Sequence, residues 1–234
     1  MPSHCLPVKI LKKGVGLVQN NIKVDYSLYL VTERSFLGNL SLEAAVEQAI
    51  TGGVTLVQLR EKNLSTLEFY NTALKIKKVT DAYGIPLIIN DRADIALAVD
   101  AAGLHVGQDD LPAKTARKIL GKTKLIGVSV ATVAEALKAV EEGADYIGVG
   151  AVFPTMTKRD TNHIGVARLA EIKKAVDIPV VAIGGINMDN VALLKGAQID
   201  GIATVSAILG SANIKKAAME LKQQIGFKIE ERSL

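Results

Sequence analysis

The sequence predicts an α/β protein of the (β/α)8 TIM barrel class, built as a single domain. Short runs of Val, Ile and Leu alternate eight times with segments of helical periodicity between residues 28 and 205. The runs are continuously apolar, which is typical of parallel strands covered by helices. The length of 234 residues suits one such barrel. An open, doubly wound sheet built from the same elements is the alternative.

The strand and helix patterns follow one another regularly along the chain. The predicted strands are Leu28–Thr32, Thr55–Arg60, Leu87–Asn90, Leu104–Val106, Leu125–Val130, Tyr146–Val149, Val180–Ile183 and Gly201–Val205. The predicted helices between them include Leu42–Ile50, Leu67–Tyr83, Val133–Glu141 and Val166–Ala175. Ser41 and Thr132 precede two of these helices and are expected to cap them.

Four similar helix exits precede predicted strands, and each contains glycine. Gly53, Gly103, Gly143 and Gly196 are expected to take the left-handed conformation that ends a helix. No linker-like segment interrupts the pattern, so we expect one barrel over residues 26–225. Residues 1–25 are expected to form a peripheral N-terminal extension and residues 226–234 a C-terminal tail.

The amino-acid composition limits the kinds of partner that the protein is expected to bind. Aromatic residues make up 4% of the chain and Trp is absent, which argues against a base-stacking surface for nucleic acid. The formal net charge of +4 suits a small anionic ligand. A single cysteine and the absence of a membrane-length apolar run predict a cytoplasmic protein without a membrane partner. Lysines in the first 13 residues argue against a signal peptide, and a homo-oligomer is compatible with the sequence.

Basic side chains alternate at the end of the second predicted strand. In "VQLREK", strand geometry places Gln58, Arg60 and Lys62 on one face. The arginine fork and the lysine point charge both suit phosphate. The alternative is an exposed strand end that carries ordinary solvated charges.

Acidic side chains follow the third and fourth predicted strands. Asp91 and Asp110 supply hard oxygen ligands from neighbouring strand ends, which suits Mg²⁺ bound together with water and phosphate oxygens. The alternative is capping of the next helix, and for Asp109 we expect either that or a supporting role. Acidic and basic side chains at the same end of the predicted barrel are best explained by a bound magnesium–diphosphate complex.

A second anion site is predicted from the later loops. Gly184–Gly185 and Val205–Ser206 follow strands seven and eight, where this fold commonly binds phosphate through backbone amides. The segment "PTMTKRD" adds Thr155, Thr157 and Lys158, although such a loop is often merely solvated. His105 lies within an apolar strand and is interpreted as a core residue.

Together, these motifs resemble the thiamin phosphate synthase family. The resemblance runs from about Tyr29 to Leu209 through "LYLVT", "VQLREK", "IINDR", "HVGQDD", "GVSVAT", "DYIGVGAVFPTMTKRD", "VVAIGGI" and "DGIATVSAI". It implies a transferase that joins a hydroxymethylpyrimidine diphosphate to a thiazole phosphate and releases pyrophosphate. In this family the bond to pyrophosphate breaks before the thiazole attacks, so no protein nucleophile is required.

The resemblance also implies roles for individual residues. The pyrimidine diphosphate would be held by Gln58, Arg60, Lys62, Asn90, Ser129 and Lys158. Of these, Arg60, Lys62, Ser129 and Lys158 would take part in catalysis. The thiazole phosphate would be held by Thr155, Thr157, Gly185, Val205 and Ser206. Asp91 and Asp110 would bind Mg²⁺.

Two departures from the family pattern bear on the alternatives. Ala131 stands where many relatives have His, and Glu33 where relatives often have Asp. A similar barrel, the thiazole tautomerase, resembles this chain but uses a histidine at that place to move a proton, which Ala131 cannot do. The tautomerase is therefore the second hypothesis, and a non-catalytic phosphate-binding barrel is the third.

Overall fold

A computed structural model of the protein describes residues 24–155 and 163–225. Its eight parallel strands close into a barrel in sequence order. They are β1 (Leu28–Val31), β2 (Leu56–Leu59), β3 (Leu87–Asn90), β4 (Gly103–Val106), β5 (Leu125–Val130), β6 (Tyr146–Val149), β7 (Val180–Ile183) and β8 (Gly201–Thr204). Because β8 pairs with β1, the predicted (β/α)8 TIM barrel is confirmed and the open sheet is wrong.

Helices cover the outside of this barrel. In the described residues they are α1 (Leu42–Thr51), α2 (Thr66–Ala82), α3 (Ala93–Ala98), α4 (Ala113–Leu120), α5 (Val133–Glu141), α6 (Gly165–Ala175), α7 (Ser206–Leu209) and α8 (Ile214–Ile225). A 3₁₀ turn, Val191–Ala197, replaces an α-helix between β7 and β8, and another covers Arg34–Phe36. None of the helices in the described ranges is long and apolar enough to cross a membrane.

The predicted strand bounds differ from the observed ones by at most one residue. The predicted caps are confirmed: the Ser41 side chain accepts a hydrogen bond from Ala44 N, and the Thr132 side chain accepts one from Glu135 N. Gly53 and Gly143 have positive φ angles of 107° and 86°, as predicted.

The prediction for the other two glycines is wrong. Gly103 is the first residue of β4, and Asp100 takes the left-handed conformation in its place. A Cβ at Gly103 would lie 2.3 Å from the carbonyl oxygen of Leu125, so this glycine permits the close approach of β5. Near Gly196, the left-handed residue is Gln198.

Loss of the α1 cap is expected to lower the stability of the barrel. Ser41→Ala should reduce the free energy of unfolding by about 1 kcal/mol, because Ala44 N loses its partner. Urea unfolding of this variant measures the change, and Ser35→Ala, at another exposed serine, serves as the control. Equal stability of the two variants would contradict the capping role.

The barrel has two apolar layers. The larger lies between the strands and the helices, whereas the smaller fills the inside of the barrel. The interior cluster consists of Tyr26, Tyr29, Val31, Leu56, Ile88, Tyr146, Val181 and Ala203. These side chains pack the interior, and within the described residues a cavity opens at the carboxyl ends of the strands. Residues 1–23 and 226–234 lie outside the described residues, so the predicted extension and tail stay predictions.

Candidate active site

A cavity of about 150 Å³ opens at the carboxyl ends of the strands. The structure brings eight of the predicted site residues together around it: Gln58, Arg60, Asn90, Ser129, Thr155, Gly185, Val205 and Ser206. Lys62 and Asp91 are partly exposed at the ends of β2 and β3, and Asp110 lies after β4. Thr157 and Lys158 lie outside the described residues.

The charged side chains at the end of β2 lie on two opposite faces of the strand, as the predicted alternation requires. Arg60 lines the cavity, and its guanidinium donates a hydrogen bond of 2.7 Å to the Glu33 carboxylate. The side chain of Glu61 is not in the cavity lining and instead accepts a hydrogen bond of 2.6 Å from Arg34. Thr32 fixes the strand end, because its hydroxyl accepts from the backbone N–H of Arg60 at 3.0 Å. The sequence did not reveal that Glu33 would pair with Arg60.

The two predicted metal ligands lie close enough for the Asp110 carboxyl to act electrostatically on Asp91. Asp91 also forms an ion pair with Lys62. Burial raises the pKa of the Asp91 carboxyl, Lys62 opposes the rise, and the neighbouring Asp110 carboxyl adds to it. The backbone supports this approach, since Asp91 takes a left-handed φ of 60° and its N–H donates to the His105 carbonyl at 2.8 Å.

Helix capping does not explain these acids. The cap residues of α3 and α4 are Arg92 and Pro112, and neither helix start has a side-chain cap. The capping alternative is therefore wrong for Asp91 and Asp110, and also for Asp109. The reason is local: Asp110 turns back, and its carboxylate accepts the N–H of Gly107 at 2.9 Å.

The donor set at this rim fits Mg²⁺ rather than a metal held by protein alone. Within the described residues, no group of three or more His, Cys, Asp and Glu side chains could hold a metal ion. Because the Asp110 carboxyl raises the cost of ionising Asp91, a divalent cation between the two carboxylates would stabilise the ionised form of Asp91. Mg²⁺ typically accepts one or two carboxylates and completes its shell with water and phosphate oxygens.

Glycines form the opposite side of the cavity, at the end of β7. Gly184 and Gly185 have positive φ angles of 99° and 66°. A Cβ at Gly185 would lie 2.3 Å from the Pro154 carbonyl oxygen, so no larger residue fits. Asn190 holds this turn by donating to the Gly185 carbonyl at 2.8 Å. Ser206 begins α7 nearby, where the first backbone N–H groups of a helix have no partner within it.

The floor of the cavity contains side chains that sequence reasoning gave no functional role. His105 is buried and both of its ring nitrogens have partners, which confirms its interpretation as a satisfied core residue. Tyr29 and Tyr146 lie beside it, and burial raises the pKa of both hydroxyls. Their positions inside the barrel follow from strand alternation, but their hydrogen bonds depend on strands far apart in sequence.

Comparison with known proteins shows the family to which this barrel belongs. A family model described as thiamine monophosphate synthase matches residues 28–208. The chain belongs to this family. The resemblance found in the sequence is thereby confirmed.

Curated relatives agree with the family model. The chain is 56% identical over 202 residues to a thiamine-phosphate synthase of Clostridium beijerinckii, covering 86% of this chain and 97% of the relative. It is 54% identical over 209 residues to one of Methanobrevibacter smithii, covering 89% and 99%. The chain is therefore an enzyme, a transferase of the thiamine-phosphate synthase type, and a non-catalytic barrel is excluded.

Solved structures agree as well. Thiamine phosphate pyrophosphorylase from Pyrococcus furiosus superposes with a TM-score of 0.81 at 40% identity, covering 88% of this chain and 98% of that one. A 3-hexulose-6-phosphate synthase, at 19% identity and a TM-score of 0.60, shares the fold alone.

Proposed function

We propose that the enzyme joins 4-amino-2-methyl-5-hydroxymethylpyrimidine diphosphate to hydroxyethylthiazole phosphate and releases pyrophosphate with the assistance of Mg²⁺. The product is thiamin phosphate. This proposal rests on the residues that surround the mouth of one cavity. Paired acids and bases lie after β2, β3 and β4, and the glycine turn at Gly184 and Gly185, after β7, lies across the cavity from them.

Asp91 and Asp110 would hold Mg²⁺. Bound there, the ion would neutralise negative charge on the diphosphate and help to orient it. This role agrees with the raised pKa of Asp91, to which the Asp110 carboxyl contributes. With Asp91 engaged by the metal, the Lys62 ammonium group would be free of its present partner and could contact the diphosphate.

The main chemical task of the protein is to stabilise the departing pyrophosphate. Arg60 would transfer its guanidinium from Glu33 to the diphosphate, and Lys62 and Lys158 would add positive charge. One cation about 4 Å from a unit negative charge is worth roughly 4 kcal/mol at an effective dielectric constant of 20, before desolvation. Several such contacts account for much of the barrier reduction of about 8–23 kcal/mol that is typical of enzymes.

Neutral groups would position the pyrimidine part. Gln58, Asn90 and Ser129 line the cavity beneath the charged rim. Once the C–O bond to pyrophosphate has broken, the electron-deficient pyrimidine methylene is captured by the thiazole nitrogen. Both electrons of the new C–N bond come from that nitrogen, so no side chain has to act as nucleophile or strong base.

The glycine turn would bind the second phosphate. The backbone amides around Gly185, Val205 and Ser206, together with Thr155 and Thr157, would hold the thiazole phosphate. In that position, across the cavity from the diphosphate, it would put the two reacting groups between the two proposed anion sites. The cytoplasmic location and any homo-oligomer stay predictions.

A reconstituted reaction tests the proposed function. Purified protein with both substrates and Mg²⁺ should release pyrophosphate and form a product with the mass of thiamin phosphate. Omission of either substrate or of Mg²⁺ should abolish product formation. Release of pyrophosphate without the coupled product, or undiminished turnover in EDTA, would contradict the proposal.

A methyl group in the glycine turn is expected to impair the thiazole site. Gly185→Ala places a Cβ against the Pro154 carbonyl at a positive φ, so the turn must move. The KM for the thiazole phosphate should rise by at least about tenfold, equivalent to the loss of roughly 1.4 kcal/mol of binding. Gly196→Ala is the control, because a Cβ there meets no atom within 4 Å. A larger change in the KM for the pyrimidine diphosphate would contradict the assignment.

A further inference from the structure

A chain of hydrogen bonds crosses the inside of the barrel and joins two residues of the proposed diphosphate site. Gln58 Nε2 donates to Tyr29 Oη at 2.9 Å, and Tyr29 Oη lies 2.9 Å from Tyr146 Oη. Tyr146 Oη lies 3.1 Å from His105 Nδ1, and His105 Nε2 lies 2.9 Å from Ser129 Oγ. Gln58 and Ser129, the two ends, both line the cavity.

Two glycines make room for this chain. A Cβ at Gly127 of β5 would lie 2.2 Å from Tyr146 Cζ and 2.5 Å from His105 Nδ1. A Cβ at Gly148 of β6 would lie 3.2 Å from His105 Cε1. These strands therefore carry no side chain where the rings pass, which lets Tyr146 and His105 approach them closely.

The amide of Gln58 sets the direction of the chain. Tyr29 Oη accepts from Gln58 Nε2, so its own proton needs an acceptor, and Tyr146 Oη lies at hydrogen-bonding distance. Tyr29 is 2% exposed, so leaving that proton unbonded would carry the cost of a buried, unsatisfied donor. Tyr29 therefore donates to Tyr146.

The same reasoning extends to the other end. Tyr146 accepts from Tyr29 and is fully buried, so its proton goes to His105 Nδ1. A neutral histidine that accepts at Nδ1 carries its proton on Nε2, which then donates to Ser129 Oγ. The Ser129 oxygen accepts this bond, and its own O–H remains to donate into the cavity that Ser129 lines.

We propose that Tyr29, Tyr146 and His105 are positioning residues that hold the Ser129 hydroxyl as a hydrogen-bond donor toward the bound diphosphate. The identity of that ligand rests on the proposed function. The direction of the chain does not, because it follows from hydrogen bonds within the protein. The residues act through Ser129 and do not themselves touch the reacting atoms.

The histidine tautomer tests the direction of the chain without substrate. In protein labelled with ¹⁵N at its three histidines, His105→Gln identifies the His105 resonances. We expect His105 at neutral pH to be protonated at Nε2 and unprotonated at Nδ1. Tyr146→Phe removes the donor to Nδ1 and should shift His105 toward a mixture of tautomers. Protonation at Nδ1 in the unmodified protein would overturn the inference.

Kinetics test the consequence for Ser129. Tyr146→Phe should lower kcat about tenfold, the effect of one weakened hydrogen bond in the transition state, with little change in KM. In a Ser129→Ala background the same substitution should have no further effect, because the hydroxyl that it orients is gone. Tyr26→Phe is the matched control: its ring lies 5.0 Å from that of Tyr146, and its hydroxyl is not part of the chain.

The outcomes separate this inference from the proposed function. Lower thermal stability of Tyr146→Phe at unchanged kcat would mean that the chain only packs the core, and would overturn the inference. An undiminished effect of Tyr146→Phe in the Ser129→Ala background would do the same. An unmodified protein that forms no thiamin phosphate would refute the proposed function. An Nδ1-protonated His105 in a fully active enzyme would refute only the positioning role.

Discussion

Replacement of Asp91 or Asp110 by asparagine is expected to lower kcat/KM by about a thousandfold at limiting Mg²⁺, since loss of a metal ligand removes several kcal/mol of charge stabilisation. The Asp110 carboxyl raises the pKa of Asp91, and neither acid caps a helix. In the proposed site each would supply a separate ligand to one ion. Steady-state rates measured across a range of Mg²⁺ concentrations give the effect, and high Mg²⁺ should restore part of the activity.

A matched variant controls for loss of charge in this region. Asp94 lies three residues from Asp91 but pairs with Arg92 on the exposed first turn of α3. Asp94→Asn should keep its turnover and its Mg²⁺ dependence. If Asp91→Asn or Asp110→Asn kept full turnover at limiting Mg²⁺, the metal assignment would be wrong.

Replacement of Arg60 by alanine is expected to lower kcat/KM by a factor of about 100 to 1,000, because a charge-assisted contact to the leaving group is lost. Arg60 is 17% exposed and lines the cavity. Arg60→Lys should recover only part of the activity, since lysine keeps the charge but loses the planar fork. Kinetics with varied pyrimidine diphosphate measure both variants.

The neighbouring arginine provides the control for this prediction. Arg34 pairs with Glu61, whose side chain is 6% exposed. Arg34→Ala should therefore lower stability while leaving kcat/KM unchanged. Equal losses of activity in Arg34→Ala and Arg60→Ala would indicate a general effect of positive charge at the mouth and would contradict a specific contact.

Sequence reasoning succeeded where local pattern determines structure. The barrel strands are short, apolar and end in polar residues, so their bounds and the rim residues Arg60 and Ser206 could be read directly. The caps Ser41 and Thr132 depend on residues three positions away and were also found.

Features that depend on distant strands were missed. The Arg60–Glu33 pair joins residues 27 positions apart, and the contact of Tyr29 with Tyr146 joins residues 117 apart. Such pairings depend on the alignment of the strands in the barrel, and no local sequence pattern specifies that alignment. Gly103 was misassigned for the same reason, since the constraint on it comes from Leu125 on the adjacent strand.

The resting ion pairs at the mouth have a consequence for selectivity. Arg60 is paired with Glu33 and Lys62 with Asp91, so an anion that bound to both bases would have to displace two internal partners and leave two carboxylates unpaired. In the proposed site, a diphosphate that arrives with a divalent cation would offer the displaced Asp91 a new partner, which a monophosphate alone would not. The resting ion pairs would thereby favour the metal-bound diphosphate over simple anions without any steric barrier.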